Sequence, residues 1–177
     1  LLNGVGLDLN QYKKLSQKEI LSKKKELGLK ENDFVVLMIA ELNENKNQVQ
    51  LIEAMEVLKD TYPEIKAICV GEGDKLSELQ SEVKNRGLEG KVNFLGFRND
   101  INELINICNI GVLLSYREGL PRNLMELMAC GKKVIATNIR GCRDIVVDET
   151  VGEIVEVGDY EATAKAIENQ YLYGDNQ

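Results

Sequence analysis

Short apolar runs alternate along the chain with longer amphipathic ones. Phe34 to Ala40, Ile65 to Val70, Lys91 to Leu95, Ile110 to Leu114, Lys133 to Thr137 and Gly152 to Val157 read as strands. Their β-branched content and unbroken apolarity suit a parallel sheet buried on both faces. Between them, helical patterns occupy Gln48 to Thr61, Lys75 to Arg86, Ile101 to Cys108, Arg122 to Ala129 and Glu161 to Leu172. This alternation predicts an α/β fold, a doubly wound parallel sheet of about six strands with helices on both faces. Right-handed crossovers are the default, while strand order stays open.

Residues 1–30 stand apart from the body at 31–177. Ser16-Gln17-Lys18-Glu19 is a capping-box pattern that opens a charged helix, and Gly28 marks its end. Ahead of it, Asn3-Gly4-Val5-Gly6-Leu7-Asp8 reads as a glycine-containing turn.

A length of 177 residues suits one domain with a real core. The net charge of −7 argues against a nucleic-acid partner, which favours a basic face. The one basic run, Lys23-Lys24-Lys25, lies in the charged helix and reads as a solvated face. No stretch approaches the roughly 20 apolar residues of a membrane span. The start lacks both Met and a signal-peptide pattern, so a piece of a longer chain is expected. Cys69, Cys108, Cys130 and Cys142 have no C-x-x-C spacing, and no histidine is present to complete a zinc site or a triad. Free cysteines in apolar stretches suit a reducing, cytosolic compartment.

The densest chemistry lies in Arg117-Glu118-Gly119-Leu120-Pro121-Arg122-Asn123-Leu124-Met125-Glu126, where two carboxylates bracket seven residues. Gly119 lets the backbone turn or approach a ligand. Pro121 suits a first helical position, where its missing amide proton is no loss. The amides of Arg122, Asn123 and Leu124 then lie in a first turn without intrahelical acceptors, which attracts phosphate. Carboxylates on either side can accept hydrogen bonds from sugar hydroxyls. The plainer alternatives are an i,i+4 ion pair of Glu126 with Arg122, and a turn role for Glu118 beside Arg117 or Arg122.

Glu118, seven residues and Glu126 resemble the E-x7-E signature of retaining GT-B glycosyltransferases of the family 4 type. The flanking run, from Asn109-Ile110-Gly111-Val112-Leu113-Leu114-Ser115 through Gly131-Lys132-Lys133-Val134-Ile135-Ala136-Thr137, is similar to that family's nucleotide-sugar-binding half. The similarity extends from about Asn3 to Tyr171. It implies a Rossmann-like donor-binding domain over 31–177, entered through an interdomain segment in 1–30. It also implies that Glu126 holds the donor ribose, that Glu118 contacts the transferred sugar, and that the Pro121 helix start faces the phosphates.

In an open parallel sheet, ligands bind beyond the carboxyl ends of the strands. After the first strand comes Ala40-Glu41-Leu42-Asn43-Glu44-Asn45-Lys46-Asn47. The resemblance implies that Lys46 binds the donor diphosphate, the alternative being a surface lysine at a helix start. Glu41 stands where the family has a phosphate-binding Arg, and a carboxylate there repels phosphate unless it is turned away or paired. Gly71-Glu72-Gly73 reads first as a turn, and the resemblance sets Gly71 beside the nucleotide. Phe97 and Arg98, after the third strand, fall near the base by resemblance; a buried Phe and a surface Arg are the alternative. Asn138 to Cys142 resembles the loop closing the far side of the site and receives no chemical role.

The implied reaction moves a sugar from a nucleotide-diphosphate donor to an acceptor hydroxyl with retention, in bacterial surface polysaccharide synthesis. No cofactor is implied beyond that donor, and the absence of Asp-x-Asp fits a metal-independent site. The acceptor, saccharide or lipid-linked, would be held by the other, N-terminal domain of such an enzyme, so little catalysis is expected from this half alone. The full-length enzyme would be cytoplasmic, peripheral to the membrane's inner face if its acceptor is lipid-linked. Two rivals remain. A dinucleotide-dependent module needs G-x-G-x-x-G after the first strand, which is absent. A non-catalytic nucleotide-binding module is the other.

Overall fold

The computed structural model describes residues 12–173. Its strands are β1 (Phe34–Ile39), β2 (Ile65–Val70), β3 (Val92–Phe94), β4 (Ile110–Leu113), β5 (Lys133–Thr137) and β6 (Gly152–Val155). They form one six-stranded sheet in the order β3-β2-β1-β4-β5-β6, with every neighbouring pair parallel. The helices are α1 (Gln17–Glu26), α2 (Gln48–Leu58), α3 (Leu76–Asn85), α4 (Ile101–Ile107), α5 (Arg122–Ala129), α6 (Arg140–Arg143) and α7 (Tyr160–Tyr173). All six predicted strands and the predicted helices form, with ends trimmed by one to three residues in several. The short α6 overlaps the segment at Asn138 to Cys142 read as a closing loop.

Alternation along each strand builds two cores. On one face, Val36 and Met38 of β1, Ala67 and Cys69 of β2 and Ile135 of β5 pack with Leu51, Met55, Val83 and Ile167 from α2, α3 and α7. On the other, Val35, Leu37, Ile68, Val70 and Ala136 pack with Leu104, Leu124, Leu127 and Cys142 from α4, α5 and α6. Helices on both faces are the physical reason the central strands read as continuous apolar runs.

The capping box of α1 forms as expected: Glu19 N–H donates to Ser16 Oγ at 3.4 Å, and Ser16 N–H donates to Glu19 Oε2 at 2.8 Å. The helix packs on α4 through Ile20 and Leu27 and through charge. Lys23 Nζ lies 2.9 Å from Asp100 and 2.6 Å from Glu103, and Leu15 N–H donates to Asn106 Oδ1 at 3.0 Å. Lys23 therefore belongs to a packed interface and not to a solvated basic run. Lys24 is also buried, its ammonium donating to the Glu31 and Asp33 carbonyls at 2.8 Å each.

The chain steps from β1 outward to β2 and β3, then returns to set β4 on the other side of β1. This reversal opens a crevice at the carboxyl ends of β1 and β4.

Candidate functional site

The β1–β4 ladder pairs Val36 with Ile110 and Leu37 with Gly111, and the two strands run on to Ile39 and Leu113 before their loops begin. In the first loop, Asn43 caps a 3₁₀ turn over Glu44–Lys46, its Oδ1 accepting from Lys46 N–H at 3.1 Å. Asn47 follows in the left-handed region at φ 53°, where Asn is tolerated better than most residues. In the second loop, Glu118 lies opposite. Lys46 Nζ contacts Glu118 Oε1 at 2.5 Å across 72 residues of sequence. The side chains are only 21% and 12% exposed, so the pair is screened less than a surface ion pair.

At the start of α5, the structure corrects one position. Pro121 is the N-cap, with φ −75° and ψ 92°, and Arg122 is the first helical residue. Proline's fixed φ is compatible with both positions, and an extended ψ ends the loop here. Leu124 N–H is already engaged by Asn123 Oδ1 at 2.9 Å. The amides of Arg122 and Asn123 thus remain as the helix-start donors of the site. Asn123 Nδ2 donates to Ile39 O at 2.7 Å, tying this helix start to the end of β1. Gly119 and Leu120 are exposed, and the side chain of Leu124 is fully buried.

Glu126 is half-buried one turn into α5, and no ion pair with Arg122 forms among the described residues. It faces Tyr12 instead. Burial pushes the Tyr12 hydroxyl up to about 12, and its hydrogen bond to Glu126 adds to the shift. Tyr12 comes from the segment entering the domain, and nothing in the sequence pattern pairs it with Glu126.

Two further loops close on this pair. A β-carbon on Gly71, where φ is +140°, would stand 2.1 Å from Ala40 O, and one on Gly73 would stand 2.1 Å from Leu42 O. These glycines let the loop after β2 lie directly on the loop carrying Lys46, a role beyond the simple turn. Gly141 does the same from α6, where a β-carbon would stand 2.4 Å from Gly119 O and 2.7 Å from Glu118 O.

Phe97 is 68% exposed rather than buried, leaving its ring open to a planar ligand. Arg98 is committed: it makes a two-pronged contact with Asp100 at 2.8 and 2.6 Å and reaches Glu26 at 3.3 Å. Glu41 is exposed, and its carboxylate has no cationic partner among the described residues. Among the described residues, no three His, Cys, Asp or Glu side chains gather as a metal site. Burial raises the Cys69 and Cys108 thiols to about 12, so neither is a thiolate.

The family model described as Glycosyl transferases group 1 matches residues 19–172. The chain belongs to this family. EpsD of Bacillus subtilis (strain 168), named as a glycosyltransferase, is 38% identical over 170 residues, covering 96% of this chain and 45% of that protein. The Escherichia coli UDP-Gal:alpha-D-GlcNAc-diphosphoundecaprenol alpha-1,3-galactosyltransferase is 30% identical over 165 residues, covering 92% of this chain and 42% of the relative. The crystal structure of Anabaena Alr3699/HepE in complex with UDP-glucose superposes with a TM-score of 0.89 at 32% identity, covering 96% of this chain and 47% of that one. The chain spans less than half the length of these relatives. The group 1 assignment and the Anabaena neighbour agree with the six-stranded doubly wound sheet as one half of a GT-B glycosyltransferase.

Proposed function

We propose that the chain is the donor-binding half of a retaining glycosyltransferase using a UDP-linked sugar. It would transfer that sugar to an acceptor hydroxyl in bacterial surface polysaccharide synthesis. The observation that carries this reading is the meeting of Lys46 and Glu118 at 2.5 Å, beside the start of α5. One cation and one carboxylate are thereby set side by side where the phosphates and the sugar of one donor adjoin.

Each group has a distinct task. Lys46 and the amides of Arg122 and Asn123 stabilise the charge that grows on the departing diphosphate. An arriving diphosphate competes with Glu118 for the Lys46 ammonium, which frees Glu118 to accept hydrogen bonds from the sugar hydroxyls. Glu126 accepts from the ribose hydroxyls, with Tyr12 orienting its carboxylate. Exposed Phe97 covers the base, while Arg98, held by Asp100, shapes that loop. Gly71 admits the nucleotide close to the backbone. Charge neutralisation by Lys46 and amides needs no metal. UDP as the nucleotude class is supported by the UDP complex of the Anabaena neighbour, and a lipid-linked acceptor by the name of the Escherichia coli relative. The acceptor and further catalytic groups would come from the part of the relatives that this chain does not cover, so this half alone would bind donor and transfer little. The enzyme would act in the cytoplasm, at the inner face of the membrane for a lipid-linked acceptor.

A donor screen with the full-length protein tests this, comparing wild type with Glu118→Gln and Glu126→Ala. Transfer is expected to fall about a hundredfold or more in both. Glu126→Ala should weaken UDP binding more than Glu118→Gln does. Undiminished transfer in both variants would sink the assignment.

A further inference from the structure

We propose that Asn45 is the positioning residue that sets Lys46 against Glu118, acting through the loop after β4. This deepens the reading of Lys46 as the diphosphate contact and rests on it. β1 ends at Ile39 and β4 at Leu113, so strand pairing does not set the spacing of the two loops beyond them. Asn45 rejoins them. Its Nδ2 donates to Arg117 O at 3.0 Å, its Oδ1 accepts from Arg117 N–H at 3.1 Å, and its own carbonyl accepts from Tyr116 N–H at 2.9 Å.

The register of this clip decides its meaning. Asn45 immediately precedes Lys46, and Arg117 immediately precedes Glu118. Fixing the first of each pair fixes where the second emerges. The side-chain amide copies the donor–acceptor edge of a peptide group, so it stands in for a ladder rung beyond the strand ends. Asp keeps only the acceptor, and Ala keeps neither. Asn43 and Asn47 brace the same turn from either side, the latter with Nδ2 3.3 Å from Leu114 O. The two side-chain bonds of Asn45 lie at the surface, so their loss costs the fold little while releasing the loops.

Calorimetric titration of the intact protein with UDP tests the proposal as a double-mutant cycle. Lys46→Ala is expected to weaken binding about tenfold, and Asn45→Ala about three- to tenfold. The double variant should bind no more weakly than Lys46→Ala alone, because a displaced Lys46 and an absent one are equivalent. A double variant whose loss is the product of the single losses would overturn the proposal, as would wild-type affinity in Asn45→Ala. If Lys46→Ala itself binds UDP like wild type, the diphosphate reading falls, and the positioning role falls with it. Asn45→Asp, which retains the acceptor for Arg117 N–H, should lie between wild type and Asn45→Ala. It decides the matter through the same cycle if Asn45→Ala does not fold.

Discussion

At residue scale, the site depends on positions where a single carbon atom has no room. Gly141 is buried, and the backbone of Glu118 and Gly119 lies where its β-carbon would project. Gly141→Ala is therefore expected to push the Glu118 loop outward. UDP affinity should fall about tenfold while stability drops by only about 1–3 kcal/mol, as for other overpacked sites. Titration and thermal melting of the same variant check both parts. Glu118 and Glu126 stand out as candidates in the sequence because their spacing, the intervening glycine and proline and the apolar strand ahead all lie within one short segment. Asn45 does not, because its partner stands 72 residues away and a lone asparagine in a loop has many local uses. The repetition of Asn at 43, 45 and 47 is the one local trace it leaves.

At element scale, α1 shows how charge patterning is redirected by packing. Its lysines suggest a solvated face, yet Lys23 reaches three carboxylates, two of them on or beside α4. Hydrogen bonds from the Arg98 guanidinium, and then from Lys23, hold the Asp100 carboxyl well below the usual carboxylate range against the opposing effect of burial. A depressed folded pKa stabilises above the unfolded value, near 4 for Asp, and that contribution is lost as pH falls toward the folded value. Asp100→Asn is expected to cost about 1 kcal/mol at pH 7, lowering the melting temperature by about 2–4 °C. The gap between variant and wild type should narrow as melts are repeated at pH 3. An unchanged gap would assign the effect to packing and not to charge. Helix and strand limits were legible within a few residues, since periodicity and caps are local; Pro121 moved by one position because the N-cap and the first helical residue accept the same φ.

At the scale of the whole molecule, buried Gln50 ties the site to the far side of the domain. Its Nε2 donates to Thr163 Oγ1 at 2.9 Å and to Glu156 O at 3.1 Å, while its Oε1 accepts from Gly158 N–H at 2.7 Å and from Asn47 Nδ2 at 2.8 Å. One side chain on α2 thus links the turn after Lys46 to the connection between β6 and α7. Gln50→Leu would leave several of these groups buried and unpaired, at a cost of about 2–4 kcal/mol. Denaturant titration should show the loss of stability, and a result within experimental error of wild type would show that water or local rearrangement replaces the network. In the sequence Gln50 is only one of several polar positions in an amphipathic helix, beside Gln48, Glu53 and Glu56.

The alternation of strands and helices, the two-faced burial of the sheet and the carboxylate pair around a helix start are all written in the linear chain. Each is written in nearest neighbours or in periods of two and 3.6 residues, so local physics suffices. The strand order, the crevice between β1 and β4, the joining of Lys46 to Glu118 and the commitment of Arg98 to Asp100 emerge only on folding. Most of these depend on chain segments far apart in sequence, whose meeting is set by how the sheet packs. For Arg98, the choice between a ligand and a neighbouring carboxylate is made by the geometry of the folded loop and the helix beside it.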